Sequence, residues 1–182
     1  KKVGLPTSAM GEAFEQVRWP ARMQRVEPST HSAHPFVLDA AHNPSGLLRV
    51  LPELEQVIAA SNQTKPFGWT LVFGTSPQQD LGMFCQPLIE LCERHPPHQI
   101  VFPEPQGGRY PAVSAMAISS LAWPCKSVRV EPKPLEAIHY LAESQPREVG
   151  LVVSLGSLYL QGNILEALGR SNDEDLSLLA KQ

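Results

Sequence analysis

The feature that most constrains the fold is a regular alternation between short apolar runs and longer segments of helical periodicity. Apolar runs of strand length begin near residues 36, 69, 99, 127 and 149, and amphipathic segments follow them over about 45–61, 81–94, 112–122, 134–143 and 163–168. Strands that alternate with helices of this length predict βαβ units and a largely parallel sheet. Because such crossovers are right-handed, helices are expected on both faces of that sheet.

The residues before this alternation predict one more helix and one more strand. Residues 8–18 carry apolar side chains on one helical face, and residues 23–27 have the length of an edge strand that pairs with the strand at 36–39. The whole pattern predicts a Rossmann-like three-layer α/β domain with a mostly parallel sheet of about six strands. The expected divisions are a linker or the end of a preceding domain at 1–25, the α/β domain at 26–170, and a polar tail at 171–182.

Composition and charge narrow the classes of function. The 182 residues carry a net charge of −3 and no cluster of Lys or Arg, which argues against a nucleic-acid-binding surface. No apolar run approaches the roughly 20 residues of a membrane span, and the first residues lack the apolar core of a signal peptide. We therefore expect a cytoplasmic protein with no membrane partner, and the missing initiator Met suits a segment of a longer chain. Three cysteines without C-x-x-C spacing are interpreted as reduced packing residues.

A polar turn follows the first strand of the alternation. Asp39, His42 and Asn43 come directly after the apolar run at 36–38, and the helical segment begins just after Pro44. Asn43 is a suitable helix cap, and Pro44 suits a first turn, where a missing N–H costs nothing. In an open α/β sheet, ligands bind at the carboxyl ends of the strands, and a helix start there attracts anions. The turn is a candidate ligand site, and a purely structural capped turn is the alternative.

Two further turns are expected at the same edge of the sheet. One spans residues 74–80, and the other spans residues 154–160, in which Gly156 allows a close backbone approach and Ser157 suits a phosphate contact or a helix cap. Arg109 follows two glycines, and its guanidinium geometry suits an anion clamp. Ordinary loop chemistry is the alternative interpretation of all three features.

Several signatures of nucleotide and hydrolase chemistry are absent from the sequence. No lysine follows a glycine, so the chain has no G-x-x-x-x-G-K-[S/T] cradle for β- and γ-phosphates. No G-x-G-x-x-G dinucleotide fingerprint follows a strand, and no G-x-S-x-G elbow occurs. A phosphoryl-transfer reaction that involved this chain would need a phosphate cradle from elsewhere.

Three motifs, in order, resemble one enzyme family. Residues 19–24, W-P-A-R-M-Q, resemble the W-P-G-R-[L/M]-[Q/E] segment of folylpolyglutamate and dihydrofolate synthases, which belong to the Mur ligase superfamily. Residues 38–44, L-D-A-A-H-N-P, are similar to the D-G-A-H-N-P or D-Y-A-H-N-P signature of that superfamily's carboxyl-terminal domain. Residues 156–162, G-S-L-Y-L-Q-G, resemble the G-S-L-Y-L-x-G motif near the carboxyl end of the synthases. The likeness covers this whole chain but only the final part of a full-length ligase.

The resemblance implies the carboxyl-terminal domain of an ATP-dependent amide ligase of folate metabolism. In that family, a central P-loop domain of the same chain holds ATP and Mg²⁺, a substrate carboxylate becomes an acyl phosphate, and glutamate attacks it. Folate or dihydropteroate is the implied acceptor. The carboxyl-terminal domain is implied to close over the nucleotide, to help position glutamate, to carry no catalytic residue or metal of its own, and to be inactive alone.

The resemblance also implies roles for individual residues. Those expected to face the nucleotide across the domain interface are Arg22, Asp39, His42 and Asn43. An arginine there can neutralise charge on the transferring phosphoryl group. Those expected to contact substrate or to allow a close backbone approach are Asp80, Gly156 and Ser157. The sequence departs from the family where alanine replaces the usual residue at positions 21 and 40 and where glutamine replaces the usual lysine at position 79.

Two alternative functions are left open. One is the carboxyl-terminal domain of a Mur-type ligase that acts on a peptidoglycan precursor, although the W-P-x-R and G-S-L-Y-L segments favour the folate enzymes. The other is a free-standing α/β module that binds a phosphorylated metabolite or a protein and catalyses nothing. These alternatives differ in whether a P-loop domain accompanies the chain.

Overall fold

The computed structural model describes residues 20–65, 67–144, 146 and 149–170, so the helix expected at 8–18 and the tail at 171–182 lie outside the described residues. The strands are β1 (Gln24–Val26), β2 (Phe36–Asp39), β3 (Trp69–Phe73), β4 (Gln99–Phe102), β5 (Val128–Val130) and β6 (Leu151–Leu155). The helices in the described part are α1 (Pro44–Thr64), α2 (Leu81–Arg94), α3 (Ala115–Ser119), α4 (Pro134–Ser144) and α5 (Leu158–Ala167).

The six strands form one sheet in the order β1-β2-β6-β3-β4-β5. β1 pairs with β2 in antiparallel orientation, and every other neighbouring pair is parallel. The edge hairpin and the mostly parallel sheet expected from the sequence are confirmed. The strand that comes last in the chain, β6, is inserted between β2 and β3. The chain therefore forms β1 and β2 on one side and β3, β4 and β5 on the other before β6 occupies the position between them.

Apolar side chains cover both faces of the sheet and complete the three layers. On one face, Val153 of β6 belongs to a cluster that includes Leu54 of α1 and Leu88 of α2. On the other face, Val152 packs in a second cluster with Ile138 of α4 and with α5. Successive residues of β6 serve opposite cores because side chains alternate along a strand. The expected helices on both faces are confirmed.

One helix begins earlier than the sequence pattern indicated. The pattern placed the last helix near 163–168, whereas α5 begins at Leu158 and includes Gly162. Glycine is a poor helix former, which hid the start of this helix in the sequence. Tertiary packing overrides that preference here, because Leu160 and Ile164 on either side of the glycine are fully buried.

Another helix is shorter than the sequence pattern indicated. The pattern predicted a helix over about 112–122, whereas α3 covers only Ala115–Ser119. The carbonyl oxygen of Ile118 accepts hydrogen bonds from Leu121 N (3.2 Å) and from Trp123 Nε1 (2.8 Å). These bonds turn the chain out of the helical path and bring the indole ring into the core.

The three cysteines are packing residues, as the sequence indicated. Cys85 and Cys92 lie on the buried face of α2, and Cys125 is partly buried against the same core cluster. Burial raises the pKa of the Cys85 thiol to about 12, and burial also raises the pKa of Cys92 and of Cys125. All three are free thiols, and the raised pKa values favour their protonated form at neutral pH.

A buried hydroxyl group gives a test of the central sheet. Thr70 Oγ1 of β3 is fully buried and has no hydrogen-bond partner among the residues that the structure describes. Thr70→Val removes this unpaired group, so we expect the free energy of unfolding in urea to rise by about 1 kcal/mol. In the matched control Thr75→Val, stability should fall, because the Thr75 hydroxyl accepts from Gln78 and donates to Ser76 O. A destabilised Thr70→Val protein would contradict this prediction.

Candidate functional site

Three turns meet at the carboxyl edge of the sheet because β2, β6 and β3 are parallel neighbours. The β2 turn spans residues 40–43, the β3 turn spans residues 74–80, and the β6 turn begins at Gly156. Gly74 N donates to Leu155 O (3.3 Å), which ties the β3 turn to the end of β6. This topology confirms that the polar turns identified in the sequence share one edge.

Asp39 is buried at the end of β2, with 4% of its surface exposed. Its Oδ1 accepts a hydrogen bond from Ala41 N (2.8 Å), and its Oδ2 accepts one from Met23 N (2.9 Å). These charge-assisted bonds offset the cost of burying the carboxylate. One side chain thus holds both the turn that follows β2 and the turn that precedes β1.

Arg22 lies in the tight turn that precedes β1. Because β1 runs antiparallel to β2, this turn stands beside the carboxyl end of β2. Ala21 and Met23 have positive φ angles of 55° and 46°, and Ala40 N donates to Ala21 O (2.8 Å). Left-handed backbone costs a non-glycine residue roughly 1–2 kcal/mol, so the surroundings must hold this turn in place. Arg22 itself is exposed at the same edge as Asp39.

His42 is exposed on the β2 turn. Its Nδ1 lies 2.9 Å from Ala40 O, and since a carbonyl oxygen can only accept, Nδ1 carries the proton in this bond. Within the described part of the chain, Nε2 has no hydrogen-bond partner, so in the neutral ring it is a free acceptor. The imidazole can therefore accept from a ligand hydroxyl, or donate to an anionic oxygen when it is protonated.

Asn43 caps α1, and Pro44 occupies its first turn, as the sequence indicated. Asn43 Oδ1 accepts hydrogen bonds from Gly46 N (2.8 Å) and from Ser45 Oγ (3.1 Å). The side-chain oxygen of Asn43 is therefore already bonded to the first turn of α1, although the side chain is exposed. Its amide Nδ2 is the group left to donate to a phosphate or ribose oxygen.

The β6 turn passes close to β3. Gly156 has a φ angle of 108°, and a Cβ placed there would lie 2.6 Å from Gly74 O and 2.8 Å from the ring of Phe73. Glycine is required by both the conformation and the space. Ser157 follows at the N-cap position of α5, where it makes no side-chain cap bond and only 1% of its surface is exposed. A direct contact between Ser157 and a substrate stays a prediction.

Asp80 and Arg109 border this edge on the β3 and β4 sides. Asp80 is exposed and caps α2, since its Oδ1 accepts from Met83 N (2.9 Å). Arg109 is exposed in the loop after β4. That loop packs on the β6 turn, because a Cβ at Gly108 would lie 3.1 Å from the ring of Tyr159. The cap is the role that the observed contacts give to Asp80.

Gln78 is a residue of this edge that sequence reasoning did not single out. It is half-buried in the β3 turn, and its Nε2 lies 3.0 Å from His42 O and 3.0 Å from Thr75 Oγ1. The available signal was its place in a turn that follows a strand. A neutral amide outside any motif carries too little information to stand out from other loop residues.

Exposed large apolar side chains are concentrated at the carboxyl edge. Among the described residues nine such side chains are exposed, and seven of them lie within the first five residues of a helix or in the loop after β4. The seven, called the apolar rim here, are Leu48, Met83, Tyr110, Met116, Leu135, Leu158 and Tyr159. Single exposed apolar residues are ordinary, whereas apolar side chains collected on one side of a domain are typical of interaction surfaces, so the apolar rim is a candidate interaction surface.

The described surface also has a cavity away from the carboxyl edge. A cavity of about 280 Å³ opens at the opposite, amino edge of the sheet, where Asn62, Lys65 and His98 line part of it. None of the residues singled out from the sequence lies there. Across residues 20–65, 67–144, 146 and 149–170, no group of three or more His, Cys, Asp or Glu side chains could hold a metal ion. No helix in the same residues is long and apolar enough to cross a membrane.

Comparison with known proteins identifies the class of fold. No protein-family model matches the chain, and no curated protein sequence matches it. The mostly parallel six-stranded sheet, with helices on both faces, is the Rossmann-like α/β fold of Mur ligase carboxyl-terminal domains. Similar solved structures include folylpolyglutamate synthase/dihydrofolate synthases and a Mur ligase.

The chain is similar to a bifunctional folylpolyglutamate synthase/dihydrofolate synthase from Yersinia pestis complexed with AMPPNP and Mn ion, with a TM-score of 0.64 and 19% identity over 92% of this chain and 36% of that enzyme. It is similar to E. coli FolC in complex with DHPP and ADP, with a TM-score of 0.62, 14% identity and the same coverage. It is also similar to UDP-N-acetylmuramoylalanyl-D-glutamyl-2,6-diaminopimelate–D-alanyl-D-alanyl ligase from Acinetobacter baumannii, with a TM-score of 0.52 and 16% identity over 91% and 32%. The resemblance read from the motifs is thus confirmed for the fold, and the chain spans about a third of these enzymes.

The two bonds to Asp39 predict a specific cost for its replacement. In Asp39→Asn, one of the two acceptor oxygens becomes an NH₂ group that faces a backbone N–H. We expect the free energy of unfolding in urea to fall by about 1–3 kcal/mol. The matched control is Asp80→Asn, which should change stability by only a few tenths of a kcal/mol, because Asn and Asp are equivalent caps. Equal effects of the two substitutions would contradict the double role of Asp39.

Two glycines of the G-S-L-Y-L-Q-G segment should respond oppositely to alanine. Gly156→Ala forces a Cβ against Gly74 O at a positive φ angle, so we expect a loss of more than about 2 kcal/mol of stability. Gly162 is helical with nothing within 4 Å of a new Cβ, so Gly162→Ala should gain about 0.5–1 kcal/mol. Urea unfolding followed by circular dichroism measures both. A stable Gly156→Ala protein would rule out the close approach of the β6 and β3 turns.

Proposed function

We propose that this chain is the carboxyl-terminal domain of an ATP-dependent folylpolyglutamate or dihydrofolate synthase. In this proposal, the domain closes over ATP bound to a central P-loop domain of the same protein and helps to position glutamate. The acceptor carboxylate takes the γ-phosphoryl group to become an acyl phosphate, and the amine of glutamate displaces phosphate to form the amide. The chain alone has no phosphate cradle and is therefore inactive.

The distribution of exposed groups supports this proposal most directly. Arg22 and His42 are exposed at the edge that also carries the apolar rim. Apolar side chains gain free energy when a partner surface removes them from water, at roughly 25 cal/mol per Å². Interfaces between domains of one chain bury roughly 600–1,500 Å² and still permit relative motion. A second domain that covers this edge would bury the rim and bring the polar groups to a shared nucleotide.

The polar groups of this edge have distinct proposed roles. Arg22 neutralises negative charge on the phosphates, because a guanidinium donates several N–H bonds in a fixed plane. Among the described residues, His42 Nε2 and Asn43 Nδ2 have no hydrogen-bond partner, and we assign both atoms to ribose or phosphate oxygens. Asp39 has both oxygens bonded to backbone N–H groups, so its proposed role is to hold the Arg22 turn and not to touch the nucleotide.

The cofactors and location belong to the same proposal. The donors of Arg22, His42 and Asn43 fit a nucleotide held from the other side by a second domain. Mg²⁺ is proposed to bind at the P-loop domain with the phosphates, and the residues of this chain are given no part in holding it. Folate or dihydropteroate and glutamate are the proposed substrates, and the cytoplasm is the proposed compartment.

A Mur-type ligase is the second candidate, because a murein ligase shares the fold with a TM-score of 0.52. The folate enzymes are preferred for two reasons. Their TM-scores of 0.62 and 0.64 are higher, and the W-P-x-R and G-S-L-Y-L segments are typical of them. A free-standing binding module is the third candidate, and it differs from both in having no P-loop domain.

The test uses the full protein that the complete reading frame around this chain encodes. We expect it to contain a P-loop domain and to add glutamate to dihydropteroate or a folate with consumption of ATP. Arg22→Ala should lower kcat/KM for ATP by about 10- to 100-fold, the equivalent of one charge-assisted contact. Arg25→Ala removes the same charge from an exposed position on β1, and it should leave kcat/KM within about twofold.

Other outcomes separate the candidates. Ligation to a nucleotide-sugar peptide, with no activity on pteroates, would overturn the assignment as a folate enzyme in favour of a Mur-type ligase. If the complete protein has no P-loop domain and no ATP-dependent ligation, the free-standing binding module would be the remaining candidate. Ligation by the isolated 182-residue chain would contradict the proposed division of labour between two domains.

A further inference from the structure

Gln78 connects two turns of the candidate site that no strand pairing connects. Its side-chain Nε2 lies 3.0 Å from His42 O, 3.0 Å from Thr75 Oγ1 and 3.1 Å from Ser76 O. Thr75 and Ser76 belong to the β3 turn, whereas His42 belongs to the β2 turn. The amide therefore shares its two protons among three acceptors on two different turns.

The sheet topology makes this connection important. β6 lies between β2 and β3, so their turns are not held together by the hydrogen bonds of neighbouring strands. In the described part of the chain, the bond from Gln78 to His42 O is the only hydrogen bond between residues 40–46 and residues 74–80. On its other side, the β2 turn is fixed by Asp39 through Ala41 N. The backbone around His42 is thus held from both sides.

The same contacts determine how the imidazole is presented. The Nδ1–H of His42 donates to Ala40 O, which sets the ring against its own turn and leaves Nε2 without a partner in the described residues. Movement of the His42 carbonyl moves this ring, because the carbonyl and the side chain belong to one residue. Gln78 is half-buried and bonded to the β3 turn, so its amide connects the His42 carbonyl to a second turn of the site.

We propose that Gln78 is a positioning residue for His42. By holding the His42 carbonyl, Gln78 directs His42 Nε2 toward the nucleotide. The expected effect on ATP use rests on the proposed function. The effect of Gln78 on the position of His42 concerns this chain alone. The proposed ligand atom is a ribose hydroxyl or a phosphate oxygen. Gln78 acts through the backbone of the β2 turn and touches no reacting atom.

The structural part is tested on this 182-residue chain by NMR spectroscopy. Gln78→Glu keeps the size of the side chain but places a carboxylate, which cannot donate, against two carbonyl oxygens. We expect the imidazole signals of His42 and the amide signals of Ala41 to Asn43 to shift. The matched control is Gln56→Glu, the same change at an exposed position on α1, which should leave these signals in place. Equal responses at His42 in the two variants would overturn the proposal.

The functional part is tested with a double-mutant cycle in the full protein. Gln78→Glu should raise KM for ATP by about three- to tenfold with little change in kcat, the equivalent of one hydrogen bond. In a His42→Ala background the same substitution should have no further effect, because the group that it positions is gone. Additive effects would overturn the positioning role. Failure of the proposed function is distinguishable: the wild-type protein would then ligate nothing, while the NMR comparison would still decide whether Gln78 fixes His42.

Discussion

The buried carboxylate of Asp39 holds the carboxyl edge of the sheet in its observed form. Through Met23 N and Ala41 N it joins the turn before β1 to the turn after β2. The first of these turns contains two residues in left-handed backbone, a conformation that is unfavourable without such support. Because Arg22 lies between those residues, the direction of its side chain depends on a bond made by another residue. A carboxylate expected to meet a ligand thus acts first on the protein itself.

The insertion of β6 between β2 and β3 explains why the edge holds a concentrated set of groups. It places three turns next to one another although they are far apart in sequence. Close packing follows, since Gly156 has room for no side chain between Gly74 and Phe73. The side-chain amide of Gln78 then joins the β2 and β3 turns across the end of β6. Asp39 and Gln78 fix these turns through hydrogen bonds to backbone groups.

In the proposed function, the exposed apolar rim and the hydrogen-bonded polar turns have complementary roles at an interface between domains. Apolar contact supplies free energy for closure, but it is not directional. Hydrogen-bonded turns supply direction, because each free donor or acceptor has a defined position. Arg22 and His42 are exposed in the present structure, so a second domain can reach both. These exposed groups are the ones that the proposed function brings to a site shared with a second domain.

The amino-acid sequence by itself determined the alternation of strands and helices, the cap at Asn43 and the identity of the polar turns. These features depend on local periodicity and local hydrogen bonds, which are written in neighbouring residues. The early start of α5 was missed because packing of Leu160 and Ile164 outweighs the poor helix propensity of Gly162. Only the tertiary structure decided that Asp39 holds the Arg22 turn and that Gln78 reaches His42. Both contacts join segments that are distant in sequence. No local pattern encodes which backbone N–H or carbonyl a side chain contacts, because that depends on the insertion of β6 between β2 and β3.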